Sequence, residues 1–116
     1  MANQVSWFEI SGKDGAKLQE FYGDLFGWKI DANNPLSYGM VEGSDGGIGG
    51  GIGQSQDGGS HLTFYVTVDD LQGYLDKAEQ SGGRTVVPVT EIPNMVTFAQ
   101  FADPEGNVVG IVKPQA

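Results

Sequence analysis

The chain has 116 residues, no cysteine, and fifteen acidic against six basic side chains, a formal net charge of −9. That composition excludes disulfides, thiolate metal sites and cysteine nucleophiles, and it sets the chain against nucleic acid and anionic membrane surfaces, which would repel it. No apolar run approaches the roughly 20 residues a membrane span requires, and no basic-then-apolar leader opens the sequence, so a single cytoplasmic domain is the expectation.

Val5 to Ile10 (VSWFEI) predicts a strand with Phe8 and Ile10 on one face and Trp7 and Glu9 on the other. From Asp14 to Phe26, Leu18, Phe21, Tyr22 and Leu25 recur at helical spacing, predicting an amphipathic helix ended by Gly27. Trp28 to Asp31 begins a second strand, Asn33-Asn34-Pro35 is a turn, and Leu36 to Val41 (LSYGMV) is a third strand. Residues 43–59 are dominated by glycine. A flexible linker is one reading, but Ile48 and Ile52 within the run favour a short fourth strand with a close backbone approach. A phosphate-cradling loop would need a following helix and a lysine, and has neither here.

His61 to Val68 (HLTFYVTV) alternates cleanly, with Leu62, Phe64, Val66 and Val68 on one face and His61, Thr63, Tyr65 and Thr67 on the other. Asp69 and Asp70 then open a second helix whose Leu71, Tyr74, Leu75 and Ala78 repeat the helical stripe before Gly82-Gly83. Arg84 to Val89 predicts a strand closed by Pro88, and Asn94 to Ala102 another. Asp103-Pro104-Glu105-Gly106 fits a type I turn, and Asn107 to Val112 is the final strand.

The same plan occurs twice. The interval from Trp7 to Gly27 equals that from Thr63 to Gly83, and WFEIS aligns with TFYVT. Each half reads as βαβββ, the first about 5–53 and the second about 61–114. The apolar strand faces need cover, and the two helices are available to provide it. The expectation is an α+β domain: two βαβββ repeats forming a curved mixed sheet, with helices on the convex side and a cavity on the concave one.

This repeated plan, with FYGDLFGW in and after the first helix and FADPEGNVVGI near the end, resembles the vicinal oxygen chelate superfamily of glyoxalases, bleomycin-resistance proteins and extradiol dioxygenases. The resemblance covers roughly residues 5–114. WFE in the first strand and VDD before the second helix are most similar to its short glyoxalase-like domains. Metal-using members of that family take ligands from the first and last strand of each half. Those positions fall here on Trp7, Thr63, Gly110 and the Gly49–Gly51 run, with Gly50 the best match. Tryptophan and glycine side chains cannot ligate, and a lone threonine hydroxyl is a poor ligand. The resemblance therefore implies the fold without the family's usual metal, and no cofactor is expected.

His61, the single histidine, lies two positions from Thr63 and reads either as a solvated strand end or as a contact at the cavity rim. The concave face would otherwise carry Trp7, Glu9, Thr63, Tyr65 and Thr67, with Gln100 as a further candidate whose facing the sequence does not fix. Trp7 and Tyr65 could stack on a planar or cationic ligand. Glu9 could serve as general base or counter-ion, or could be hydrogen-bonded to a neighbouring tyrosine for structural reasons. The candidate ligand contacts are thus Trp7, Glu9, His61, Thr63, Tyr65 and Gln100, with no catalytic residue assigned. The expected function is metal-independent binding of a small molecule, with sequestration of a cationic or aromatic ligand as its sharper form. The alternative that the resemblance supplies is a lyase, isomerase or dioxygenase acting on a small oxygenated metabolite. Exposed edge strands, and the habit of family members of this length, make a homodimer the expected assembly.

Overall fold

The computed structural model describes residues 2–44 and 46–114; Asp45, in the glycine-rich run, lies outside the described residues. Its elements in chain order are β1 (Val5–Gly12), α1 (Gly15–Phe26), β2 (Ile30–Asp31), β3 (Gly39–Val41), β4 (Gly49–Gln54), β5 (His61–Thr67), α2 (Leu71–Gln80), β6 (Arg84–Ile92), β7 (Val96–Ala102) and β8 (Val108–Val112). The class is α+β, with the βαβββ plan present twice. By contacts the chain forms two compact units, one of residues 6–63 and the other of residues up to 5 together with those from 64 onward. The division therefore falls inside β5. The first residues belong with the later unit, where the Thr67 amide donates to the Gln4 carbonyl (3.0 Å) and the Asn3 amide to the Tyr74 hydroxyl (2.8 Å).

In the first half the strands lie in the order β2-β3-β4-β1, with β1 parallel to β4 and the other pairs antiparallel. The Asp14 carboxylate caps α1 by accepting from the Lys17 amide (3.1 Å), and Gly27 ends the helix in the left-handed conformation, its amide on the Gly23 carbonyl. α1 lies over the face of Phe8, Gly12 and Ile52: a Cβ on Gly12 would stand 3.0 Å from Leu18, and Gln19 donates to the Ile52 carbonyl (2.8 Å). The expected stripe is only half used. Leu18 and Tyr22 are partly buried, whereas Phe21, Leu25 and Phe26 are more than half exposed. The strand beneath is largely glycine, so the helix sits close on its Gly15–Gln19 end: a Cβ on Gly15 would stand 2.7 Å from the backbone of Gly53 and Gln54. At the other end Tyr22 and Phe26 meet Trp28 instead, which itself packs on Phe8 (ring centroids 5.3 Å).

In the second half the order is β5-β8-β7-β6, with β5 parallel to β8. Here the core is conventional. Val68, Leu71, Leu75, Ala99 and Ile111 are buried together, with Val66, Tyr74 and Phe101 packed around them. Each fully buried aliphatic side chain of this kind contributes about 1.5–3 kcal/mol. Asp70 caps α2 through the Gly73 amide (3.0 Å). Leu62 and Phe64, expected on the covered face of β5, are instead 78% and 43% exposed, because the helix reaches only the Val66–Val68 end of that strand. β6 also departs from expectation: Pro88 does not close it, and the strand continues to Ile92. Its ladder to β7 shifts register between Val87 and Thr90, and at the outermost strand of the half a missing amide donor is tolerated. The Asp103–Gly106 turn forms as expected, with the Gly106 amide on the Asp103 carbonyl (2.9 Å).

Candidate functional site

Residues opposite one another across a ladder share a face, so the register of β1 and β4 fixes what surrounds Trp7 and Glu9. Trp7 lies beside Gly49, Phe8 beside Gly50 and Glu9 beside Gly51. Gly50 therefore belongs to the helix side, where a Cβ would collide with the Phe8 ring. The positions of β4 that share a face with Trp7 are Gly49 and Gly51, which corrects the expected Gly50.

The bare strand is floored by a side chain that sequence reasoning passed over. The Tyr38 ring lies across Gly51 and Gly53; a Cβ on Gly51 would collide with it, and one on Gly53 would stand 2.9 Å from it. The Tyr38 hydroxyl donates to Glu9 Oε2 (2.9 Å) and accepts from Trp7 Nε1 (3.2 Å). Tyr38 is delivered by a tightly specified turn. Asn34 holds it from both sides, Nδ2 donating to the Tyr38 carbonyl (2.7 Å) and Oδ1 accepting from the Tyr38 amide (3.0 Å). Ser37 adopts φ 51°, the left-handed region that a non-glycine residue enters only when its surroundings hold it there, and Gln19 caps its carbonyl (3.1 Å). The legible signal was the Asn-Pro turn beside a strand of glycines: bare floor calls for a ring from elsewhere.

Beside this trio opens a cleft of about 450 Å3, lined by Trp7, Ile30 and Met40 on its apolar side and by Lys29, Asp31 and Glu42 among its charged groups. Asp31, Met40 and Glu42 were not singled out from sequence. Asp31 and Met40 stand opposite one another on the short β2–β3 pair, and Glu42 directly follows β3.

The second half repeats the device with different parts. The Tyr65 ring lies over Gly110, its partner across the β5–β8 ladder, where a Cβ would collide with it. Tyr65 is 6% exposed, meets Phe98 edge-on (6.2 Å, 71°), and its hydroxyl accepts from Gln100 Nε2 (2.8 Å). The facing of Gln100 is thus fixed: it shares the Tyr65 side. Thr63 is partly buried, on the Tyr65 side of β5 by strand alternation. His61 stands at the exposed start of β5, its Nε2 2.8 Å and 3.0 Å from the two carboxylate oxygens of Asp57. That hydrogen bond, with a further one from the Gly59 amide, holds the Asp57 carboxyl below its usual range.

The structure therefore brings together Trp7 and Glu9 around Tyr38, and separately Tyr65 and Gln100. At the family's ligand positions stand an indole, two glycines under tyrosine rings and a threonine hydroxyl. Among the described residues no group of three or more His, Cys, Asp or Glu is placed to hold a metal ion. These donors do not fit the metal that family members use.

Comparison with known proteins settles the family. The model for the Glyoxalase/Bleomycin resistance protein/Dioxygenase superfamily matches residues 4–111. The chain belongs to this superfamily. A glyoxylase-like domain-containing protein of Didymella fabae is 29% identical, the match covering 93% of this chain and 91% of that protein. CFP32 of Mycobacterium tuberculosis, named as a candidate glyoxylase, is also 29% identical over 91% of this chain, which spans only 44% of that protein's length. Among solved structures, methylmalonyl-CoA epimerase from Mycobacterium tuberculosis superposes with a TM-score of 0.68 at 14% identity, covering 97% of this chain and 88% of that one. That likeness shows the fold of this superfamily member.

Proposed function

We propose that this superfamily member binds a small planar, cationic or aromatic molecule, without a metal at the family's ligand positions. One observation carries the reading: Trp7, standing where the family places its first metal ligand, walls a cleft that also holds Met40, Ile30, Asp31 and Glu42. An apolar wall with a few charged groups is the usual form of a small-molecule site, and an indole face attracts cations. Cysteine-free composition fits a reducing cytoplasmic setting, and no helix among the described residues is long and apolar enough to cross a membrane. The acidic chain has no use for nucleic acid or anionic membranes as partners, and a homodimer is the proposed assembly, read directly by light scattering.

Calorimetric titration with a panel of planar organic cations tests the ligand class: absence of heat for every member sinks it. Elemental analysis after reloading with zinc, nickel, manganese and iron(II) tests metal independence. Less than about a tenth of an equivalent is expected, and close to one equivalent overturns it.

A second reading is an enzyme of the superfamily, a lyase, isomerase or dioxygenase acting on a small oxygenated metabolite. The Glu9 carboxylate hydrogen-bonded to the Tyr38 hydroxyl favours it, since that is a base beside an acid, and an epimerase is among the structural neighbours. Proton exchange at the carbon next to a carbonyl, followed by NMR on small 2-oxo acids and thioesters in deuterated water, separates the two readings.

A further inference from the structure

We infer that Glu9 and Tyr38 are positioning residues for Trp7, and that Glu9 is not the counter-ion of the bound cation. The inference rests on the reading of the Trp7 cleft as the ligand site, and it assigns the work within that site. The three side chains form one directed chain of hydrogen bonds. Trp7 Nε1, which can only donate, gives its hydrogen to the Tyr38 hydroxyl (3.2 Å), and that hydroxyl gives its own to Glu9 Oε2 (2.9 Å). The indole end sets the direction: an indole N–H cannot accept, so the Tyr38 hydroxyl takes its hydrogen from Trp7 and gives its own to Glu9. Each bond polarises the next, so the carboxylate strengthens the phenol as acceptor for the indole.

Geometry fixes the consequence. An indole has two free torsions, and an aromatic wall contributes stacking only while its plane is held. No side chain of β4 can tie it, because the residues beside Trp7 and Glu9 are glycines. Tyr38 is instead clamped at its backbone by Asn34 and seated across Gly51 and Gly53, so its hydroxyl is a fixed point to which the indole N–H is tied. Among the described residues, the carboxylates lining the cleft are those of Asp31 and Glu42, beside the single Lys29 ammonium, and in this inference those two carboxylates are the counter-ions. Glu9 acts on the ligand through Tyr38 and Trp7.

Two measurements on the full chain test this. The first needs no ligand: hydrogen exchange of the Trp7 indole N–H by 15N NMR, assigned by loss of its signal in Trp7→Phe. Protection is expected in the wild type, retained in Glu9→Gln, whose amide oxygen still accepts from Tyr38, and lost in Tyr38→Phe and Glu9→Leu. An unprotected wild-type indole, or protection undisturbed by Tyr38→Phe, overturns the inference. The second is calorimetric affinity for 1-methylquinolinium. Glu9→Gln should change it less than about twofold, Tyr38→Phe weaken it about tenfold, and Asp31→Asn with Glu42→Gln weaken it at least as much. Loss in Glu9→Gln equal to that in Glu9→Leu, with the double variant unchanged, makes Glu9 the counter-ion and overturns the inference. If the wild type does not bind the cation while the exchange pattern holds, the ligand class fails and the positioning of Trp7 stands.

Discussion

Tyr38 and Tyr65 solve the same local problem in the two halves from opposite starting points. Each ring lies over a glycine of a strand that runs parallel to the first strand of its half, Gly51 in one and Gly110 in the other. Tyr65 belongs to β5, the strand paired with that of Gly110, is 6% exposed and is wedged against Phe98, with its hydroxyl accepting from an amide. Tyr38 arrives from a turn, is only partly buried, and ends on a carboxylate and an indole that borders a cleft. The glycine requirement is shared, but the ring built into a ladder is a piece of core, whereas the one brought by a turn stands beside the cleft proposed as the site. Repeating a plan fixes where space must be left and leaves open which element fills it.

The comparison breaks most sharply on removing each ring. Tyr65→Ala should cost about 3–5 kcal/mol of stability in urea unfolding, the range for emptying a buried aromatic position. Tyr38→Ala should cost about 1–2 kcal/mol, since the ring is partly in water already. Equal costs would mean that Tyr38 is core after all.

Adding a methyl group under each ring comes next. Gly110→Ala drives a Cβ into a ring that cannot move and should cost about 2–3 kcal/mol, in the range for overpacking. Gly51→Ala meets the far end of the partly exposed Tyr38 ring, which is displaced only by breaking its bonds to Glu9 and Trp7, so its cost should stay near about 1 kcal/mol. Its effect should be read at Trp7, as faster exchange of the indole N–H. Removing only the hydroxyl sharpens the picture further: Tyr65→Phe leaves Gln100 without its acceptor and should cost about 1 kcal/mol by the same unfolding measurement.

The smallest effects are in the loops, one carboxylate per half. Asp103 is held below its usual range chiefly by the Asn107 side-chain amide, then by the Asn107 and Glu105 amides. Asp57 is held down by His61 and the Gly59 amide. Such bonds favour the ionised form in the folded chain. Their stabilisation is therefore complete above the carboxyl's unfolded pKa and is lost as pH falls through the lowered folded one. Asp103→Ala should lower Tm at neutral pH, with the gap to wild type closing on acidification below the ordinary carboxylate range. Asp57→Ala should behave likewise but more weakly, because its main partner is an exposed histidine. A gap that widens in acid would reverse the assignment.

Much of the frame was legible before any coordinates. The repeat, the aspartate cap of the second helix, the Gly27 terminus, the Asp103 turn and the strand hidden in the glycine run all follow from local chemistry that spacing records. What escaped was set by the partner element. Phe21 and Leu25 have helical spacing, but a strand of glycines draws the helix in at its first turns and leaves them in water. Pro88 reads as a stop, yet the outermost strand carries it through a register shift. Trp7 and Glu9 were visible as a pair, while Tyr38, which joins them, was not. Its position over Gly51 is a contact between distant segments, written only as an absence of side chains in β4.

That absence has an engineering consequence. With glycine at 49, 50, 51 and 53, β4 contributes backbone and almost no identity, and the surface chemistry above it is imported by the five residues from Asn34 to Tyr38. The turn is therefore an exchangeable cartridge. Replacing it can rewrite what the floor offers, phenol for amide or thioether, while the ladders beneath keep their register and the rest of the chain keeps its sequence.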